Sequence, residues 1–223
     1  MPTNGIEIIN LTNAPSLLSR YMRELRDVSV QGAPLRFRTN LQRIGEIMAY
    51  EISRRLNYSK EMVETPLDTA QCDEPSDKVV LATILRAGIP FHQGFLNFFD
   101  RAENAFVSAF RKYHEKGDSF DVVTEYLAAP SLKGKTLILT DPMLATGTSM
   151  YAAYKALLAN GNPTRIHLAS VISSAGAIEY VANLFPAHKT TIWTAAIDPA
   201  INAHSYIVPG LGDAGDLAFG SKL

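Results

Sequence analysis

The chain contains a single cysteine, Cys72, and this scarcity excludes two common ways of stabilising a small domain. One thiol cannot build a disulfide framework, and it cannot supply a cysteine-rich zinc site. A lone thiol also suits a reducing compartment. We therefore interpret Cys72 as a small residue in a connecting segment, not as a reactive group.

Long apolar runs are also missing. No stretch approaches the roughly 18 apolar residues of a spanning helix, and residues 1–10 lack the basic start and apolar core of a secretory signal. The last three residues, Ser221-Lys222-Leu223, spell a peroxisomal address. We treat that match as chance, and expect a cytoplasmic protein with no membrane partner.

The sequence has no excess of either charge. It carries 21 basic and 22 acidic residues, for a formal net charge of -1. Proteins that hold nucleic acid by its backbone usually show a basic excess, so no nucleic-acid partner is expected, although a local basic face stays open. The length of 223 residues suits a single α/β domain, and a hydrophobic content of 47% is enough for a sizeable core.

The first third of the chain has apolar residues at helical spacing. One helix is predicted within residues 15–27, and a second from a cap at Thr39 or Asn40 to about Leu56. Residues 57–77 contain Pro66, Pro75 and many polar groups, which favours a connection. The apolar surplus of residues 15–56 suggests a hood over a site or a subunit interface.

From Lys78 onward, strand and helix patterns alternate. Val79–Leu85 is a near-continuous apolar run, as in a parallel strand buried on both faces. Further strands are predicted at 105–110, 136–140, 166–172 and 190–194, with helices at 89–99, 148–160 and 174–185. This order predicts a parallel sheet with helices on both faces. Ligands bind such sheets at the carboxyl ends of the strands, so chemistry is expected in the loops after Leu85, Phe110, Thr140 and Thr194.

Two further segments do not fit the alternation. Residues 113–130 are polar and then β-like, which favours a mobile hairpin or lid. The glycine-rich tail after Thr194 shows little helical pattern.

Two phosphate-binding signatures match only in part. Gly134-Lys135-Thr136 resembles the end of a P-loop, but Ala129 replaces the first glycine and the segment precedes a strand. The stretch Gly210–Gly215 matches G-x-G-x-x-G, but only eight residues follow it, so a dinucleotide-binding unit has no room. The simplest use of these glycines is a loop whose backbone lies against a flat ligand.

Residues 137–149 form a better phosphate site. Their pattern predicts a strand, an acidic residue at its end, a short loop and a helix start, with hydroxyl groups at Thr146, Thr148 and Ser149. Backbone N–H groups at a helix N-terminus bind phosphate. Asp141 at the strand end can accept hydrogen bonds from vicinal sugar hydroxyls. Together these groups suit a ribose 5-phosphate.

Asp141-Pro142-Met143-Leu144-Ala145-Thr146-Gly147 resembles the 5-phosphoribosyl 1-diphosphate (PRPP) motif of the type I phosphoribosyltransferases, in its uracil phosphoribosyltransferase version. The resemblance spans about residues 15–220. Its other matching segments, in order, are Thr65-Pro66-Leu67, Ile84–Gly88, Arg111, Thr194–Asp198 and Tyr206–Asp216. The last segment is specific to the uracil enzymes.

This resemblance implies an α/β fold: a type I phosphoribosyltransferase-like parallel sheet with flanking helices, a lid hairpin and a hood built from the terminal segments. It implies one domain over residues 1–223, with a helical segment (1–77), a PRPP-binding core (78–194) and a uracil-binding tail (195–223). It implies transfer of the 5-phosphoribosyl group from PRPP to uracil, giving UMP and diphosphate, with Mg²⁺ bound mainly through PRPP. A homodimer or higher homo-oligomer and a GTP activator are also implied.

The resemblance assigns site residues by matching position. Asp213, Arg86 and Arg111 are the catalytic candidates. Tyr206, Ile207, Gly212, Asp213 and Ala214 would hold uracil. PRPP would contact Arg86, Ala87, Gly88, Arg111, Asp141, Pro142, Met143, Leu144, Ala145, Thr146, Gly147, Thr148, Ser149 and Asp213.

The sequence departs from the family pattern at several positions. Thr148 replaces a commoner glycine, an aspartate is missing after Arg111, and a basic residue is missing after Asp216. Asp213 also suits a plain turn between glycines, and Arg111 beside Lys112 also suits a solvated basic face.

Three alternative functions stay open. They are a phosphoribosyltransferase for another base, a regulator that senses PRPP or uracil nucleotides, and a structural domain whose glycine tail is an interface. Orotate needs a cation for its carboxylate, and residues 206–215 supply none.

Overall fold

A computed structural model of the chain describes residues 4–113 and 120–221, with the side chains of residues 109–125 outside that description. The described residues form strands, helices and three short 3₁₀ turns. The strands and helices, in chain order, are β1 (Glu7–Asn10), α1 (Leu17–Arg26), α2 (Pro34–Ser53), β2 (Tyr58–Glu64), β3 (Thr69–Pro75), β4 (Val79–Leu85), α3 (Gly88–Leu96), β5 (Glu103–Tyr113), β6 (Phe120–Ala128), β7 (Thr136–Thr140), β8 (Met143–Leu144), α4 (Thr148–Leu157), β9 (Arg165–Ser174), α5 (Ala175–Leu184), β10 (Thr190–Asp198), β11 (Ala200–Ile201), β12 (Ile207–Val208) and α6 (Ala214–Phe219).

The main sheet has the strand order β1-β10-β9-β7-β4-β5-β6, with β8 added beside β9. Its pairings are parallel except for the β5–β6 pair at one edge. The predicted parallel sheet with flanking helices is therefore confirmed. The carboxyl ends of β4 and β7, which are neighbours in the sheet, bring their following loops to one edge.

Side chains of the central strands alternate between two hydrophobic cores. In β4, Val79 and Leu81 face the core built with α1, α2, α3 and α6, whereas Val80, Ala82 and Ile84 face the core built with α4 and α5. A strand covered on both faces needs apolar side chains at successive positions. This is why Val79–Leu85 has no polar alternation.

The N-terminal prediction needs three corrections. Residues 7–10 form strand β1, which extends the sheet beside β10. Helix α2 begins at Pro34, not at Thr39 or Asn40, because proline at the first helical turn needs no N–H partner. Asn40 lies inside this helix, where its side chain donates to the Glu24 carboxylate at 2.8 Å.

Residues 57–77 are not an irregular connection, because they contain the antiparallel hairpin β2–β3. Its turn is closed by the Thr65 N–H, which donates to the Asp68 carbonyl at 2.8 Å. Neither strand packs a face on the core. The polar sequence therefore gave no period-2 apolar signal.

Two later boundaries also differ from prediction. Strand β10 runs to Asp198, so the loop expected after Thr194 begins four residues later. The tail contains the short helix α6, capped by Asp213, where no helix was expected. The predicted hairpin at 113–130 is confirmed as the β5–β6 pair, and its tip at 114–119 lies outside the described residues.

Candidate active site

The predicted phosphate loop joins strand β7 to helix α4. Gly147 caps the helix with φ at +83°, and a Cβ at this position would lie 2.8 Å from atoms of Tyr180 and Val181. Glycine is therefore required both by the left-handed backbone and by the close approach of α5. The Thr146 and Thr148 hydroxyl oxygens lie 2.8 Å apart at the helix start. Hydroxyl groups and backbone N–H groups of a helix start thus converge where a phosphate would bind.

Asp141 lies at the end of β7, as predicted. Its backbone N–H donates to the Ala169 carbonyl at 3.0 Å, and its carboxylate accepts from the Met143 N–H at 3.1 Å. Burial raises the pKa of Asp141 to about 7, and the hydrogen bond from Met143 opposes that rise. A desolvated carboxylate with one local donor is suited to accept hydrogen bonds from two sugar hydroxyls.

The loop after β4 is shaped by Gly88. A Cβ on Gly88 would lie 2.1 Å from the Thr83 Oγ1 atom, which itself donates to the Thr140 carbonyl. The buried Thr140 hydroxyl donates in turn to the Ala82 carbonyl at 3.1 Å. These contacts lock the end of β4 against β7. They place Arg86 and Ala87 at the same edge as Asp141.

The guanidinium of Arg86 reaches across to the C-terminal helix. Its Nη2 atom donates to Asp216 Oδ1 at 3.0 Å and to the Gly220 carbonyl at 3.1 Å. Its Nε atom is buried and has no hydrogen-bond partner among the described residues. The loop after β4 and the tail are therefore in direct contact. The side chain of Arg111 lies outside the described residues, and its backbone pairs with Val122 in the β5–β6 hairpin.

The tail forms a tight glycine loop before α6. Gly210 has φ at +65°, and a Cβ there would lie 2.0 Å from the Ile207 carbonyl oxygen. Gly212 also has a positive φ, of +86°. Ile207 is buried, whereas Tyr206 is 42% exposed. Gly210 and Gly212 therefore turn the backbone, and the contact of this loop with a flat ligand stays a prediction.

Asp213 has a structural role in this loop. Its Oδ1 atom accepts from the Asp216 N–H at 3.0 Å, which caps α6. The turn-forming alternative for Asp213 is therefore present in the structure. Its second carboxylate oxygen still leaves it capacity to contact a substrate.

The phosphate loop and the tail meet in one hydrophobic cluster. Ile207, Leu211 and Ala214 of the tail belong to the core against which Met143 and Ala145 of the phosphate loop pack. The predicted PRPP and uracil segments therefore share one hydrophobic cluster.

Sequence reasoning missed one residue of this region, Arg26 in the last turn of α1. Its two terminal nitrogens donate to the two Asp198 oxygens at 2.7 and 2.8 Å, and Nη1 also donates to the Gly210 carbonyl at 3.0 Å. The Asp198 carboxylate accepts from the Gly210 N–H at 2.8 Å. Burial alone would raise the pKa of Asp198, but the hydrogen bonds from Arg26 and Gly210 lower it below its ordinary value.

Only Asp198 carried a sequence signal, since it ends the matched segment Thr194–Asp198. An arginine in the last turn of a helix is usually solvated, so nothing marked Arg26.

The described residues contain neither a cluster of metal ligands nor a membrane-spanning helix. No three His, Cys, Asp or Glu side chains converge there in a way that could hold a metal ion. No helix in this part of the chain is long and apolar enough to cross a membrane.

Comparisons with known proteins agree with this geometry. A family model described as "Uracil phosphoribosyltransferase" matches residues 12–221. A protein of that name from Porphyromonas gingivalis is 59% identical over 218 residues, which cover 98% of this chain and all of the relative. Another, from Methanothermobacter thermautotrophicus, is 40% identical over 189 residues, or 84% of this chain and 85% of the relative.

One solved structure resembles the whole fold. The AQ2163 protein from Aquifex aeolicus superposes with a TM-score of 0.85 and covers 97% of this chain and 99% of its own. Its sequence identity is 24%, so it supports the fold alone.

Proposed function

We propose that this chain, which belongs to the uracil phosphoribosyltransferase family, transfers the 5-phosphoribosyl group of PRPP to uracil with the residues assembled at the carboxyl edge of its sheet. The products are UMP and diphosphate. The observation that carries this proposal is that a phosphate loop (residues 141–149) and a glycine tail (residues 206–215) contribute to one hydrophobic cluster, while Arg86 donates to Asp216 just after that tail. One loop suits a ribose 5-phosphate, and the other presents backbone groups to a flat base.

The PRPP-binding set comprises three segments. The α4 N-terminus, with Thr146, Gly147, Thr148 and Ser149, would bind the 5-phosphate through N–H and hydroxyl groups. Asp141 would accept hydrogen bonds from the ribose hydroxyls. Arg86, Ala87 and Gly88 would bind the diphosphate, since a guanidinium fork matches phosphate oxygens. Arg111 is the second proposed diphosphate ligand, by its matching position alone.

Uracil would bind to backbone groups of the tail. One edge of the base presents an acceptor, a donor and an acceptor, which N–H and C=O groups of Ile207, Gly212 and Ala214 can complement. Cytosine would leave buried groups unpaired, at a cost of roughly 1–3 kcal/mol for each. Tyr206, half exposed beside this loop, would cover the base.

The reaction is a displacement at the anomeric carbon. Diphosphate leaves with the electrons of its C–O bond, the ribose ring gains oxocarbenium character, and N1 of uracil attacks from the opposite face and releases its proton to water. The protein provides positioning and charge stabilisation: Arg86 and Arg111 neutralise the leaving group, and the tail orients N1. Asp213 would lie near both substrates and would act through water or metal.

Mg²⁺ is the proposed cofactor. Phosphoribosyltransferases generally use it, and Mg²⁺ keeps most of its waters and often binds through substrate phosphates. The carboxylates of Asp141 and Asp213 are oxygen ligands of the kind that Mg²⁺ prefers, and each would supply at most one ligand to the ion. When bound, the ion would neutralise charge that develops on diphosphate.

Membership of this family supports four further proposals, on domain number, location, activation and oligomeric state. The chain is one domain over residues 1–223, it is cytoplasmic as its single thiol suggests, and GTP is a candidate activator. A homodimer or higher homo-oligomer is supported by the apolar side chains on the β2–β3 hairpin, where Met62 is 64% and Leu67 97% exposed.

The test is UMP formation from labelled uracil by the purified chain, with PRPP and Mg²⁺ supplied or omitted one at a time. We expect UMP only in the complete mixture, and a large loss of activity in Asp141→Asn. A folded protein that binds PRPP and forms no UMP would instead favour a PRPP-sensing regulator.

A further inference from the structure

Arg86 lies in the proposed diphosphate loop, yet its guanidinium is bound by the C-terminal helix. Nη2 donates both to Asp216 Oδ1, at 3.0 Å, and to the Gly220 carbonyl, at 3.1 Å. A group that would bind the leaving diphosphate is thus occupied by an internal carboxylate. A diphosphate bound on the Nε and Nη2 edge of this guanidinium would compete with Asp216 for the Nη2 atom.

The ion pair with Asp216 engages only part of the Arg86 guanidinium. Only one nitrogen meets the carboxylate, and both side chains are more than a third exposed, at 38% for Arg86 and 36% for Asp216. The Nε atom is buried without a partner among the described residues. A bidentate contact with phosphate oxygens would use Nε and Nη2 together. Because Nε is inaccessible in the present arrangement, that contact requires the guanidinium to turn away from Asp216.

Asp216 is fixed by the loop that would hold uracil. It lies in the first turn of α6, and its N–H donates to Asp213 Oδ1 at 3.0 Å. Gly215 lies beside this contact, where a Cβ would meet Arg86 Nη2 at an ordinary distance of 3.7 Å and Asp213 Oδ1 at a tight 3.2 Å. The ion pair therefore ties the diphosphate loop to the base loop.

We propose that Asp216 is a positioning residue, which holds the Arg86 guanidinium against α6 before PRPP binds and yields it to the diphosphate. The inference rests on the proposed role of Arg86 as a diphosphate ligand. Breaking the pair is part of the cost of PRPP binding, and it releases α6 from the diphosphate loop. Asp216 thus adjusts PRPP affinity without touching the substrate.

The test is a double-mutant cycle on the dissociation constant of PRPP, measured calorimetrically with Mg²⁺ present. The four proteins are the wild type, Asp216→Asn, Arg86→Gln and the double variant. We expect Asp216→Asn to tighten PRPP binding about two- to fivefold, because exposed ion pairs contribute little. In the Arg86→Gln background, Asp216→Asn should change the dissociation constant of PRPP by less than about 1.5-fold, because no arginine remains for which Asp216 and PRPP could compete. Arg86→Lys, which keeps the charge and loses the fork, is a second background if Arg86→Gln unfolds.

The other possible results of this double-mutant cycle lead to different conclusions. Equal tightening in both backgrounds would mean that Asp216 acts only as a nearby negative charge, and would overturn the exchange. Unchanged or weaker PRPP binding in Asp216→Asn, with weaker binding in Arg86→Gln, would also overturn it and leave Arg86 as a diphosphate ligand. Unchanged binding in Arg86→Gln alone would remove the proposed role of Arg86 and this inference together.

Discussion

The guanidinium of Arg26 and the carboxylate of Asp198 form a two-pronged ion pair, at 2.7 and 2.8 Å, that holds Gly210 by both its N–H and its carbonyl. Arg26 comes from the first helix, Asp198 from the last strand of the main sheet, and Gly210 from the proposed uracil loop. The pair fixes the start of the loop whose next peptide groups would face the base. Neither side chain needs to touch uracil in order to determine how it binds.

Arg26→Lys is expected to raise KM for uracil about tenfold or more, with a much smaller effect on KM for PRPP. A lysine cannot contact both Asp198 oxygens and the Gly210 carbonyl as a guanidinium does. Hydrogen bonds to charged groups contribute roughly 1.5–3 kcal/mol each. Steady-state kinetics with each substrate varied in turn measure the two constants.

Arg23→Lys is the matched control for this variant. Arg23 lies on the same helix, is 78% exposed and makes only a 3.8 Å contact with Asp27. It should leave both constants unchanged. Equal changes in the two KM values for Arg26→Lys, or a similar effect from Arg23→Lys, would contradict a role in holding the uracil loop.

Asp141→Asn is expected to stabilise the protein at alkaline pH when no PRPP is present. Burial raises the pKa of Asp141 to about 7 from 3.8, so the folded protein holds a proton that the unfolded chain has released. Ionising this group therefore costs stability progressively as pH rises from about 4 to 7, and the whole cost is present above that range.

Melting temperatures of both proteins at pH 5 and pH 8 test this expectation. The advantage of Asp141→Asn should grow by roughly 1–3 kcal/mol between these pH values, at about 1.4 kcal/mol for each pKa unit. The same variant should bind PRPP more weakly, because the ribose hydroxyls lose an anionic acceptor. An advantage that is constant with pH, or largest in acid, would contradict the raised pKa.

Gly88→Ala is expected to abolish activity by displacing the diphosphate loop. The new Cβ would lie 2.1 Å from the Thr83 Oγ1 atom, so the backbone of the loop or the Thr83 side chain must move. Thr83→Ala removes that oxygen, and the remaining Cβ of residue 83 lies 3.4 Å from the new methyl group. The double variant should therefore regain part of the PRPP affinity, which binding calorimetry can measure. No rescue would mean that the clash with Thr83 is not the cause.

Deleting residues 114–126 is expected to cut turnover sharply, because this hairpin would close over PRPP and exclude water. A shorter deletion of residues 114–119 leaves the residues of β6 in place and separates loss of the tip from loss of the strand. Rates of UMP formation and of PRPP hydrolysis without uracil are the measurements. A rate equal to that of the intact chain would rule out the lid role.

The sheet and the phosphate loop could be predicted because their signals are local. Val79–Leu85 is apolar at every position but Thr83, and Asp141 precedes a run of small and hydroxyl residues that begins a helix. The hairpin β2–β3 could not be found this way, since its strands bury no face and so carry no periodic apolar pattern.

The cross-chain contacts could not be predicted at all. Arg26 with Asp198, and Arg86 with Asp216, are pairs separated by 172 and 130 residues. The members of each pair meet only in the folded chain. Arg26 of the first helix then lies beside Asp198, and Asp216 of the tail lies beside Arg86, at the carboxyl edge of the sheet. The boundaries of α2 and β10 were misplaced for a different reason, because a proline start and a strand extension add little to hydrophobic periodicity.

Diphosphate release from PRPP and Mg²⁺ tests the central claim most directly, with uracil, cytosine, orotate, hypoxanthine and no base compared in parallel. The account predicts release with uracil alone, accompanied by an equal amount of UMP. Release with another base and not with uracil would contradict the assignment of residues 206–215 to uracil, even though the phosphate loop would still bind PRPP.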